Sequence, residues 1–192
     1  LMIKLPRTPS FRLDGRRALV TGGSSGIGLG AAAALAEAGA RVVIAARRLE
    51  KVEEAVRAIR EAGHSDEGIS LDVGDLNAAK QMLGAMEPFH VLFNNAGTND
   101  PRPYLEVDED NFDRIADLNL KAAFFIAQFV AQGMVSANIK GSIIHTSSQM
   151  GHVGGIDRAV YCGTKFGIEG VSKASALDLA RHGIGQIGLK TE

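Results

Sequence analysis

With a single cysteine, Cys162, the 192-residue chain can form neither an internal disulfide nor a multi-cysteine metal site. Its five histidines show no ligand spacing such as HExxH, so no metal is expected. Charge of one sign is lacking too. The 21 Lys and Arg against 22 Asp and Glu leave a net charge of −1 and no basic block, which argues against nucleic acid as a partner. No run reaches the roughly 18 uncharged apolar residues of a membrane span. Leu1–Arg12 breaks its apolar pieces with Lys4, Pro6, Arg7 and Pro9 and so lacks a signal-peptide core. The expectation is a soluble, cytoplasmic protein whose partners include neither membrane nor nucleic acid.

Apolar residues at 45% and charged residues at 22% are ordinary for a globular domain, and the length suits one core. Glycine is the exception. There are 23 glycines beside only 5 prolines, so the excess is not a low-complexity linker and serves something local.

From Arg16 onward, short β-branched runs alternate with helical periodicities, the pattern of βαβ units on a parallel sheet. Strands are predicted at Arg17–Thr21, Arg41–Ala45, Ile69–Val73, Val91–Phe93 and Gly141–Thr146. Helices are predicted at Ile27–Ala38, from Leu49 to Ile59, from Leu76 to Met86, from Asp108 to Val135 and from Arg158 to Arg181. The fold class expected is α/β: a doubly wound parallel sheet of Rossmann type, three layers, with residues 1–192 as a single dinucleotide-binding domain. The stretch from Asp108 to Val135 has too many apolar positions for one buried stripe, so it is expected to face both the sheet and another subunit.

Thr21-Gly22-Gly23-Ser24-Ser25-Gly26-Ile27-Gly28 falls between the first strand and the first helix, where glycines permit a tight turn and a phosphate can approach a helix N-terminus. Its G-x3-G-x-G spacing differs from G-x-G-x-x-G, and a purely structural turn is the alternative. Tyr161-Cys162-Gly163-Thr164-Lys165 places a phenol and an ammonium four residues apart, hence on one helix face. A neighbouring cation favours the phenolate; an ordinary surface contact is the alternative.

Together with Asn94-Asn95-Ala96-Gly97, Asn119, and Ser148 thirteen residues before Tyr161, these motifs resemble the short-chain dehydrogenase/reductase family from about Phe11 to Ile184. The resemblance implies an NAD(P)(H)-dependent oxidoreductase that moves a hydride between nicotinamide and a ketone or secondary alcohol. It implies Tyr161 as general acid/base, Lys165 favouring the phenolate and holding the nicotinamide ribose, and Ser148 hydrogen-bonding the substrate oxygen. Asn119 would anchor a water relay to Lys165. Ser147 also neighbours the strand end, and the thirteen-residue offset favours Ser148. The cofactor would be held by Gly22, Ser24, Ser25, Gly26, Ile27, Gly28, Arg47, Asp72, Val73, Asn95, Ala96 and Gly97, with Tyr161 and Lys165. Asp72 could equally be a helix cap.

Ala46 stands where NAD-preferring relatives carry an Asp, and Arg47 follows, so NADP is favoured over NAD; two solvated arginines are the alternative. Cys162, His145 and His152 read as packing or pocket lining. The long apolar helices resemble those through which the family forms homodimers and homotetramers. Relatives continue past Ile184 with a sixth strand, a substrate lid and a seventh strand. Gly185–Glu192 reads as a segment beyond the lid, so lid and C-terminal strand are expected outside these residues. A catalytically inactive nucleotide-binding protein that acts by association is the rival reading.

Overall fold

The computed structural model describes residues 10–191, so most of the segment Leu1–Arg12 and Glu192 lie outside the described residues. Six strands form one parallel sheet: β1 (Arg17–Thr21), β2 (Arg41–Ala46), β3 (Asp66–Ser70), β4 (Val91–Asn94), β5 (Ser142–Thr146) and β6 (Gly185–Leu189). Their order is β3-β2-β1-β4-β5-β6. Helices α1 (Gly26–Glu37) and α2 (Leu49–Glu61) cover one face. On the other lie α3 (Leu76–Ala85), α5 (Ala123–Ser136) and α6 (Ala159–Ala180), with α4 (Glu109–Ala116) leading into α5. This is the expected three-layer, doubly wound arrangement.

Sequence explains the layering. Every residue of β1 and β4 is buried, because a central parallel strand is covered on both faces. Leu19, Leu92 and Ile143 enter the core under α3 and α5, whereas Ala18, Val20 and Val42 enter the core under α1 and α2. On α1 the contact positions are Ala32 and Ala36, whose small side chains bring the helix close to the sheet.

Three expectations need correction. The third strand is Asp66–Ser70 rather than Ile69–Val73. It must start beside Val42, where the Asp66 carboxylate accepts the Val42 N–H (3.2 Å). It ends because Asp72 accepts the Gly74 N–H and turns the chain. The helix from Asp108 to Val135 is not uniform: a π-helical turn, Asp117–Ala122, separates α4 from α5. Finally, Gly185–Leu189 is itself a strand, pairing in parallel with Ser142–Thr146, not a segment beyond a lid. The open edge of β5 supplies its hydrogen bonds, and the preceding Ile184 is buried in the core. By length and composition, the stretch Glu109–Ser136 could cross a membrane. In this fold its Ile126, Val130 and Met134 pack on the sheet as a core helix does.

Candidate active site

Strand order reverses between β1 and β4, and chain reversals of this kind open a crevice beyond the strands' C-terminal ends. A cleft of about 320 Å³ lies there. Its walls gather Gly22, Ser24, Ser25, Arg47, Asp72, Val73, Asn95, Ala96 and Gly97, all expected from the sequence, together with Ala46, Arg48 and Leu118. Gly26, Ile27 and Gly28 do not line it. Gly26 has φ +54 and begins α1, and Ile27 is half exposed. Gly28 lies beneath the loop, where an added Cβ would stand 2.3 Å from the Gly22 carbonyl oxygen.

The cleft suits an anion at the N-terminus of α1. Ser25, at the N-cap, makes no side-chain cap bond, and the first turn carries no acidic residue. The turn's N–H groups and the positive end of the helix dipole therefore face the loop. Arg47 and Arg48 are exposed on the opposite wall, and among the described residues no carboxylate pairs with either. Asp72 is not the cap of α3. Asp75 is, accepting from Ala78 N (3.0 Å), while Asp72 turns the chain at the cleft edge. A phosphorylated dinucleotide fits these groups: phosphate oxygens at the loop amides, further negative charge at the arginines.

Two residues of the motifs, Thr21 and Asn94, have roles that spacing does not reveal. The Thr21 hydroxyl accepts the N–H groups of Asn95 (2.9 Å) and Ala96 (3.1 Å), which pins the Asn95–Gly97 wall to β1. It also donates to Asn94 Oδ1 (3.2 Å). Only the cross-strand register Thr21↔Asn94 brings these residues together, and register is not written in local sequence.

Lys165 and Tyr161 share one face of α6, as the spacing requires, with Nζ 5.5 Å from the centroid of the phenol ring. Lys165 is buried, its Nζ donates to the Thr146 carbonyl (2.7 Å), and loss of solvent lowers its pKa to about 8. Thr146 in turn donates from Oγ1 to Asn95 Oδ1 (3.1 Å) on the cleft wall. The Tyr161–Lys165 pair is thus tied to the cleft through one residue. Tyr161 also lines a narrow crevice with Asn99, Asp100, Val107 and Ile115.

Asn119 sits in the π-helical turn, a local widening often found at functional sites. Its amide exchanges two 2.8 Å hydrogen bonds with the Thr98 backbone and lies 3.5 Å from Thr164 Oγ1, beside Lys165. Ser148 is buried just after β5, and its Oγ accepts the Met150 N–H (3.2 Å) at the start of the short 3-10 turn Gln149–Gly151 that packs on α6. Ser147 is fully buried, and a Cβ on Gly151 would meet its Oγ at 2.9 Å, so it faces the inside of that turn. Cys162 is buried, as the packing reading expects. A larger cavity, about 500 Å³, opens between α5 and α6 and contains none of the motif residues.

Residues 16–190 match the family model described as short chain dehydrogenase. The chain is 38% identical over 176 residues to D-erythrulose reductase of Gallus gallus, covering 92% of this chain and 70% of the relative. It is 37% identical over 172 residues to L-xylulose reductase of Homo sapiens, covering 90% and 69%. It also superposes on a gluconate 5-dehydrogenase from Burkholderia cenocepacia, solved in complex with NADP and tartrate, with a TM-score of 0.89 at 34% identity, covering 94% of this chain and 72% of the other.

Proposed function

The chain belongs to the short-chain dehydrogenase family of oxidoreductases, and from that premise we propose that it interconverts a ketone and a secondary alcohol with NADP(H) as its preferred cofactor. The observation that carries this reading is the continuous link from Asn95 on the cleft wall through Thr146 and Lys165 to Tyr161.

Gly22, Ser24 and Ser25 would hold the pyrophosphate at the positive end of α1, and Arg47 a ribose 2′-phosphate. When bound, the nicotinamide supplies the hydride donor or acceptor. Tyr161 gives its proton to the carbonyl oxygen in reduction and takes it back in oxidation. Lys165 holds positive charge beside the phenol. Its burial makes that charge costly, and an anionic or hydrogen-bonding neighbour at Tyr161 lowers the cost. Ser148 would orient the substrate oxygen, and Asn119 fixes the Thr98 backbone against α6.

NADP over NAD rests on Arg47 and Arg48, with which no carboxylate pairs among the described residues, and on Ala46, which puts no carboxylate at the end of β2; the NADP-bound relative accords with it. The test is calorimetric affinity for NADPH and NADH. NADPH is expected to bind at least tenfold more tightly, and Arg47→Asp to reverse the order. A preference for NADPH that survives the substitution removes Arg47 from the account.

We extend the proposal to assembly as a homodimer or homotetramer through the outer faces of α5 and α6. Phe124 and Val135 are more than a third exposed beside the apolar cavity between these helices.

A further inference from the structure

On the sheet face under α5 and α6, one cross-strand row runs Thr21↔Asn94↔His145↔Gly188 at the C-terminal ends of β1, β4, β5 and β6. Three of its four members are polar and all three are almost wholly buried. Such a row is costly in a core unless each group is bonded. Here the bonds have one consistent direction.

Thr21 accepts two backbone N–H groups from the cleft wall, so its single proton goes to Asn94 Oδ1 (3.2 Å). Asn94 Nδ2 donates to the Ala123 carbonyl (2.7 Å), which fixes the amide orientation. The second Nδ2 proton then points at His145 Nδ1 (3.4 Å), the longest link. His145 must accept at Nδ1, carry its proton on Nε2 and donate to Gln186 Oε1 (3.2 Å). Ser175 Oγ meets the same oxygen at 2.9 Å, at the wall of the α5–α6 cavity.

We propose that His145 is a positioning residue of the nucleotide cleft, acting in its Nε2–H form through Asn94 and Thr21 on the Asn95–Ala96 backbone. His145 touches no wall of that cleft, and nothing in its local sequence marks it. Its burial, with the Lys165 charge nearby, disfavours the imidazolium, while Gln186 and Glu169 oppose that effect. A protonated ring would turn Nδ1–H against the Asn94 Nδ2–H and break the row. The inference rests on the reading of the cleft as a dinucleotide site.

The experiment uses the full chain in three forms beside wild type: His145→Leu, His145→Gln and Gln186→Leu. NADPH affinity is measured by calorimetry, turnover at saturating NADPH is measured in parallel, and the imidazole nitrogens of the nucleotide-free wild type are read by nitrogen NMR. Removing this buried link, at about 1.4 kcal/mol, is expected to weaken NADPH binding by roughly tenfold in His145→Leu. Gln186→Leu, distant from the cleft, is expected to weaken it by about threefold, and His145→Gln, which can accept at one end and donate at the other, to stay within about twofold. Turnover at saturating NADPH should change little in all three, and the His145 resonances should show a bare Nδ1 and a protonated Nε2.

Wild-type affinity retained in His145→Leu, or a proton on Nδ1, overturns the inference while leaving the cleft reading intact. Should His145→Leu fail to fold, unaltered affinity in Gln186→Leu overturns it equally. Wild type that binds neither NADPH nor NADH overturns the cleft reading, and this inference with it.

Discussion

Lys165 shows how a single residue carries both function and instability. Its folded pKa of about 8 lies below the 10.5 of an unburied lysine, so the fold disfavours the charged form. The cost is fully present below about pH 8 and disappears as pH rises from there toward 10.5. At about 1.4 kcal/mol per unit, the ammonium opposes folding by about 3 kcal/mol at neutral pH. Lys165→Met also removes the bond to the Thr146 carbonyl, which offsets about 1 kcal/mol. The variant is therefore expected to be about 2 kcal/mol more stable than wild type at pH 7, and inactive. That advantage should shrink by pH 10. Denaturant midpoints at the two pH values check this, and a variant less stable at pH 7 would show that the lysine is structurally favourable. At this scale the sequence was readable where spacing alone decides geometry. Tyr161 and Lys165 had to share a helix face. The role of Thr146, which holds Lys165 through a main-chain carbonyl, left no mark in side-chain identity.

Among the elements, the glycine loop and α1 form a unit whose demands can be separated position by position. An added Cβ at Gly28 meets the Gly22 carbonyl oxygen at 2.3 Å, backbone that cannot swing aside, whereas at Gly30 it meets nothing within 4 Å. Gly28→Ala is expected to cost about 1–3 kcal/mol and to abolish nucleotide binding through displacement of the loop. Gly30→Ala, on the exposed side of the same helix, should stabilise by about 0.4–1 kcal/mol with affinity unchanged. Thermal shift and calorimetry separate the two, and equal behaviour would contradict the packing account. Strand and helix positions were mostly legible because βαβ periodicity is local. The errors share a cause. Asp66–Ser70 is polar and became a strand because β2 offered its edge, and Gly185–Leu189 became one because β5 did. The π-helical turn at Asn119 has no compositional signal at all.

For the whole molecule, the fold places two different surfaces at two ends of one polar row: the cleft at the switch point of the sheet and the α5–α6 cavity. Apolar exposure at Phe124 and Val135 predicts self-association through the second. Sedimentation should show a dimer or tetramer that Phe124→Glu weakens. A wild-type monomer at every concentration would contradict the assembly. Class of fold and most of the cleft wall were visible in sequence, since five motifs lay in order on alternating elements. Which surfaces meet across the sheet was not, because that depends on strand order.

Hydride transfer to a carbonyl protonated by Tyr161 is open to isotope tracing. NADPH deuterated at the reactive nicotinamide carbon is incubated with a panel of ketones and ketoses, and the alcohols are weighed by mass spectrometry. Wild type should place one deuterium on the former carbonyl carbon of at least one substrate, with Tyr161→Phe slower by about 10²-fold or more at saturating NADPH. No deuterated alcohol from any substrate, or equal transfer by Tyr161→Phe, would contradict the account.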